Sequence, residues 1–182
     1  MAKRLALTFL SSIALSSLMF DVVAGPALAG ELFQGRCHMD TCSWFSIEER
    51  DFVGTSPHGV LYKVRSRDWE SLHPNGSYDK RTPRRGGGES TNYVFCSKSK
   101  AAVMFPSKDQ PKFEIVRLAP GNIEALAGAA TYANVYYFAV CHGVNASGEK
   151  DMERFGKKFG YAINAEATES QDTGRPEDLL KP

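Results

Sequence analysis

The sequence predicts an α+β domain, an antiparallel sheet or small barrel-like sheet with one or two helices, stapled by disulfides. Three observations predict it. Several runs alternate apolar and polar residues with a period of two, as where Val60, Tyr62 and Val64 stand against Lys63, Arg65 and Arg67. Breaker-rich stretches separate these runs, and only two short segments read as helices. Four cysteines, Cys37, Cys42, Cys96 and Cys141, form an even set behind an export signal.

That signal occupies residues 1–29. Lys3 and Arg4 precede an apolar run over residues 5–20, and Ala27, Leu28 and Ala29 give the small-any-small pattern that a signal peptidase reads. Asp21 interrupts the run, whose apolar part falls short of the roughly 20 residues a spanning helix needs. Cleavage after Ala29 is therefore expected, with a periplasmic or secreted destination. It removes Lys3, Arg4 and Asp21, which leaves basic and acidic residues in equal number and disfavours nucleic acid as a partner. The remainder is one domain by size, residues 30–164, followed by residues 165–182. Leu179 and Leu180 are the only large apolar residues of that tail, and it is expected to be disordered.

Along the mature chain, Trp44, Phe45 and Ile47, the charged run 48–51, and Phe52 with Val53 read as strand-like. The turn signal at 54–59 joins them to the alternating run 60–69 as a hairpin. Pro74, Asn75, Gly76, Pro83 and Gly86-Gly87-Gly88 predict a long loop over 73–90. Residues 93–96 and 101–105 flank Ser97-Lys98-Ser99-Lys100 as a second hairpin, and residues 113–118 alternate as a further strand. Asn122 can cap a short helix over 123–129, and the aromatic and β-branched run 135–141 reads as a buried strand. Ser147 offers a cap to a helix over 149–158, with Met152, Phe155 and Phe159 on one side and Gly160 as its stop.

The four cysteines allow three pairings. Cys37 and Cys42 are separated by a span that a turn can close, and Cys96 and Cys141 each end an apolar aromatic run, so the favoured bridges are Cys37–Cys42 and Cys96–Cys141. A copper or zinc site drawn from His38 and His142 beside those cysteines is the competing reading, as is an envelope hydrolase using His142 as base. Neither has a spacing that forces the chemistry, and no cofactor is expected. Gly86-Gly87-Gly88 lacks the strand and the Gly-Lys-Ser/Thr ending of a phosphate-binding loop. Lys80, Arg81, Arg84 and Arg85 form an acid-free basic cluster suited to an anionic envelope component or an acidic protein patch. Its plain alternative is a solvated loop offset by Asp79 and Glu89. Trp44, Phe45 and Trp69 suit core packing, with a recognition surface as the other use.

The runs Cys42-Ser43-Trp44-Phe45-Ser46-Ile47-Glu48, Tyr93-Val94-Phe95-Cys96-Ser97 and Tyr137-Phe138-Ala139-Val140-Cys141-His142-Gly143 resemble a group of small exported proteins of proteobacteria without an assigned activity. The resemblance implies a periplasmic location and shared cysteines, and it carries over no catalytic residue. A lysozyme-inhibitor-like protein is an alternative by size and compartment, although Gly88-Glu89-Ser90-Thr91-Asn92-Tyr93 matches the inhibitory motif only loosely. The leading expectation is an exported, non-enzymatic binding module.

Overall fold

The protein is seen as a computed structural model that describes residues 30–107, 112–122, 130–162 and 171–181. The export signal at 1–29 and the short helix expected over 123–129 lie outside the described residues. Among the described residues, seven strands form one antiparallel sheet: β1 Leu32–His38, β2 Thr41–Ser56, β3 Gly59–Leu72, β4 Arg84–Ser97, β5 Ala102–Pro106, β6 Phe113–Arg117 and β7 Gln171–Gly174. Their spatial order is their chain order, each strand pairing with the next. The sheet is open, with β1 and β7 at its edges, so it does not close into a barrel. Two helices, α1 Ala130–His142 and α2 Glu149–Lys158, complete the described fold with two short 3₁₀ turns.

The alternating pattern sorts side chains onto two faces. On one, Phe33, Phe45, Val64, Val94 and Val103 are buried beneath α1 and Met152 of α2. On the other, Leu61, Phe95, Ala102, Met104 and Ile115 form a second cluster with Leu179. Arg50 ties the first layer together by donating from Nη1 to the Val140 carbonyl at 2.7 Å, where the last turn of α1 leaves acceptors without helical partners. Both disulfides lie along these seams. Cys37–Cys42 bridges paired positions of β1 and β2, and Cys96–Cys141 joins the end of β4 to the end of α1.

Three expectations are corrected. The run 135–141 lies within helix α1 rather than forming a strand. It is buried from Ala133 to Val140, and a short segment that is apolar on every side carries no periodicity that separates a core helix from a core strand. The loop expected over 73–90 ends at Arg84, where β4 begins. Its glycines do not break the ladder: Gly86 and Gly87 take φ of 112° and 97° in a bulge opposite Asp68 and Trp69, and a Cβ on Gly87 would sit 3.1 Å from the Trp69 indole nitrogen. The tail 165–182, expected to be disordered, supplies β7 at the sheet edge and a 3₁₀ turn, Pro176–Leu180. Those few apolar residues suffice because they land on the second face, where Leu179 is buried.

Candidate functional site

Polar side chains gather where β1, β2 and β3 meet the first turn of α1. Gly35 of β1 makes room there, since a Cβ would fall 2.5 Å from Ser43 Oγ and 2.7 Å from the Tyr132 ring. The first turn of α1 can therefore press Tyr132 against β1 and β2. A cleft of about 470 Å³ follows, lined by Ser43, Asp68, Glu70, Arg85 and Tyr132 with Trp44 and Trp69. A neighbouring hollow of about 380 Å³ shares Ser43 and Tyr132 and adds Arg36, His38 and Thr41.

The inner wall of the cleft is fixed by hydrogen bonds. Tyr132 donates to Asp68 Oδ1 at 2.8 Å and Ser90 donates to Oδ2 at 2.9 Å. Behind them Asn92 Nδ2 contacts Ser66, Ser90 and the Tyr136 hydroxyl at 3.0–3.1 Å, a polar seam under α1. Burial, reinforced by the Asp68 charge, pushes the Tyr132 phenol far above its ordinary range. Burial likewise pushes Tyr136 up to about 12. Both stay neutral phenols at any physiological pH.

On the opposite face of the same strands, Trp44 is held by a second network. Its indole N–H donates to Ser71 Oγ at 2.7 Å, and Ser71 lies 2.8 Å from His73 Nε2. The Arg84 guanidinium lies over the Trp44 ring, 4.2 Å from its centroid. The expected basic cluster is thus divided. Lys80 and Arg81 are exposed on the loop before β4, Arg84 stacks on Trp44, and Arg85 lines the cleft beside Glu70. Consecutive strand residues point to opposite faces, so no single loop presents all four.

His38 and His142 are not brought together. His38 shares the smaller hollow with Tyr132 at the start of α1, whereas His142 ends that helix. All four cysteines are bridged, and no group of three or more His, Cys, Asp or Glu among the described residues can hold a metal. The metal centre drawn from His38, His142 and the cysteines is therefore not assembled among the described residues. Asp68, Glu70 and Tyr132 are the cleft residues that sequence reading passed over. The signal was available for two of them, because Asp68 and Glu70 are two apart in an alternating strand and so share a face.

His142 instead enters a buried chain. Its Nε2 is 2.6 Å from Tyr161 Oη, which is 2.9 Å from Tyr137 Oη, and Tyr137 donates to the Ser97 carbonyl at 2.9 Å. One arrangement gives every proton an acceptor: His142 Nε2–H donates to Tyr161, and Tyr161 to Tyr137. The His142 ring also stacks on Phe159 at 3.9 Å. Burial, with the Lys98 charge second, pushes the imidazole down to about 4. The unfolded imidazole takes its proton near 6.5. Between that pH and about 4 the unfolded chain binds more protons than the folded one, so stability falls as pH falls across this window. The site is half-exposed, and with solvent screening the loss is about 1–2 kcal/mol. Urea unfolding at pH 7 and pH 4.5 should show a larger drop for the native protein than for His142→Gln; equal drops would contradict the assignment.

Comparison with protein families, with curated proteins and with solved structures returns no match to this chain.

Proposed function

We propose that the protein is an exported, non-enzymatic binding module of the cell envelope, and that it takes an acidic saccharide in the cleft between the strand ends and α1. The observation that carries this reading is the lining of that cleft, where Arg85 lies among hydroxyl and carboxylate groups on Ser43, Tyr132, Asp68 and Glu70, with Arg36 and Thr41 in the adjoining hollow. A guanidinium fork matches a carboxylate in two parallel hydrogen bonds, and the neighbouring hydroxyls and carboxylates suit sugar hydroxyls. Asp68 is already occupied by two donors that hold it in place, which suits a rigid wall better than a proton-transfer group. Lys80 and Arg81, exposed nearby in sequence, add attraction for an anion without direction. The disulfides support an oxidising compartment.

The two indoles are held on the opposite face of these strands, Trp44 by Ser71 and Arg84, so binding is read by calorimetry rather than by indole emission. Titration with soluble uronic-acid oligosaccharides should give saturable heats at low salt, and Arg85→Ser should weaken binding at least tenfold, as loss of a charge-assisted pair implies. A neutral oligosaccharide of the same length should bind more weakly. Absence of saturable binding throughout, or an Arg85→Ser curve superimposed on the native one, would sink the reading.

A further inference from the structure

The end of the sheet where β1 turns into β2 and β3 leaves for β4 combines two features that packing does not explain. The first is backbone strain. Among the described residues, Met39, Asp40 and Asn75 are the three outside glycine with positive φ, at 48°, 61° and 59°, and all three lie here. Met39 and Asp40 make the tight hairpin turn between the paired residues His38 and Thr41, a turn that ordinarily uses Asn or Gly. The second is exposed apolar surface. Among the described residues five large apolar side chains stand exposed, and three of them, Met39 at 82%, Leu72 at 53% and Tyr78 at 38%, are at this end. A methionine thus occupies a backbone conformation that suits it poorly and gives nothing to the core in return. Such a break with local preference, without a gain in packing, marks a side chain kept for what it meets outside the fold. The tip is also braced. The Cys37–Cys42 disulfide lies directly behind the turn. The Asp40 carbonyl accepts from His73 N–H at 2.6 Å, its Oδ1 accepts from Gly76 N–H at 2.9 Å, and its own N–H donates to the Tyr78 hydroxyl oxygen at 3.3 Å. Met39, Leu72 and Tyr78 are therefore each within one residue and one hydrogen bond of Asp40, on a fixed frame that lowers the entropy lost on binding.

The chain around these side chains is basic. Residues 36–41 and 70–85 hold Arg36, Lys80, Arg81, Arg84 and Arg85 against Asp40, Glu70 and Asp79, a surplus of two positive charges in a chain whose bases and acids are nearly equal in number. Lys80 and Arg81 are exposed and, among the described residues, enter no ion pair. We infer that this tip is an interfacial anchor for an anionic phospholipid surface, with Met39, Leu72 and Tyr78 entering the headgroup boundary and Lys80 and Arg81 meeting lipid phosphates. An apolar tip flanked by cations matches a bilayer, which is apolar within, negative at its surface and fluid enough to need no shape fitted to it. Tyrosine suits the boundary, with an apolar ring and a polar hydroxyl. A stable protein partner would instead call for about 800 Å² of fitted surface on each side around a packed aromatic or arginine centre, which three side chains on a turn and a loop do not offer. The anchor uses neither Arg85 nor Asp68 nor Tyr132, so it is separate from the saccharide cleft and does not depend on that reading.

The test is co-sedimentation of the purified exported chain with vesicles of phosphatidylcholine alone and of phosphatidylcholine mixed with phosphatidylglycerol. Saturable binding to the anionic vesicles is expected, weaker at high salt and weaker still on the neutral ones. Met39→Asn should weaken it about tenfold, as loss of a buried apolar side chain implies. The same substitution should leave Tm unchanged or raised, because Asn adopts the left-handed conformation readily, so weaker binding cannot be traced to a damaged turn. Leu72→Ser should act alike, and Lys80→Ser and Arg81→Ser should each weaken binding about fivefold. Phe52→Ser, at a residue 65% exposed towards the opposite end of β2, should leave it unchanged. Absence of binding to the anionic vesicles, or affinity indifferent to both Met39→Asn and Leu72→Ser, would overturn the inference. An envelope protein bound through Met39 and Leu72 in place of the vesicles would overturn it too, and would assign the tip to a protein partner.

Discussion

Replacing Cys96 and Cys141 together by Ala is expected to lower the unfolding free energy by about 4 kcal/mol, against about 2 kcal/mol for replacing Cys37 and Cys42. The difference follows from what each bridge denies the unfolded chain. Cys96 and Cys141 are 45 residues apart, so their bond closes a long loop, whereas Cys37 and Cys42 are separated by 5. In the chain-entropy account the stabilisation grows with the logarithm of loop length, which gives those two magnitudes. The long bridge also pins the end of α1 to β4, and the chain between them includes β5, β6 and nearly all of α1. For a domain of this size the larger loss corresponds to a fall in Tm of roughly 8–16 °C. Urea unfolding of the two double variants checks the ordering. A greater loss from the short bridge would show that folded-state strain or residual structure, not loop entropy, governs their worth.

The parts of the fold that were legible in the sequence are those where solvent writes the pattern. The middle of β3 has one face in water and one in the core, so Tyr62 and Val64 alternate with exposed Lys63 and Arg65, and period two is visible. Helix α2 lies at the surface with Met152 inward and Arg154 outward, so its period of 3.6 is visible too. Helix α1 loses this signal because Ala133 to Val140 are buried on every side. Its alanines at 133 and 139 favour a helix as its aromatics favour a strand, and only the tertiary setting decides. Gly86 and Gly87 read as breakers because a strand bulge uses the same residue as a loop. The candidate cleft was legible only in fragments. Arg85 drew attention through charge, but Asp68, Glu70 and Tyr132 come from β3 and α1, which are far apart in sequence, and no local spacing joins them. His142 drew attention through its neighbour Cys141, and its role proved to lie with Tyr161 and Tyr137.

The same reasoning assigns a structural role to the end of the chain. A two-faced sheet needs both faces covered, and α1 with α2 covers only one. The second face offers Leu61, Phe95, Met104 and Ile115, a patch that would stand in water without the turn Pro176–Leu180. The backbone is shaped for that cover. A Cβ on Gly54 would fall 2.8 Å from Leu180 Cδ1, and one on Gly174 would fall 2.9 Å from Ile115 Cδ1. Glycine at these two places lets the tail approach closely. Leu179, only 7% exposed, fills the centre of the patch. Leu179→Ala is therefore expected to cost about 2–3 kcal/mol through lost transfer energy and the cavity left behind. Leu72→Ala, at a position 53% exposed, should cost under about 0.5 kcal/mol. Urea midpoints with an unchanged m-value would place the effect in the folded state. Equal costs at the two leucines would mean that the tail contributes nothing to the second face, and Leu61, Phe95 and Met104 would then need another cover.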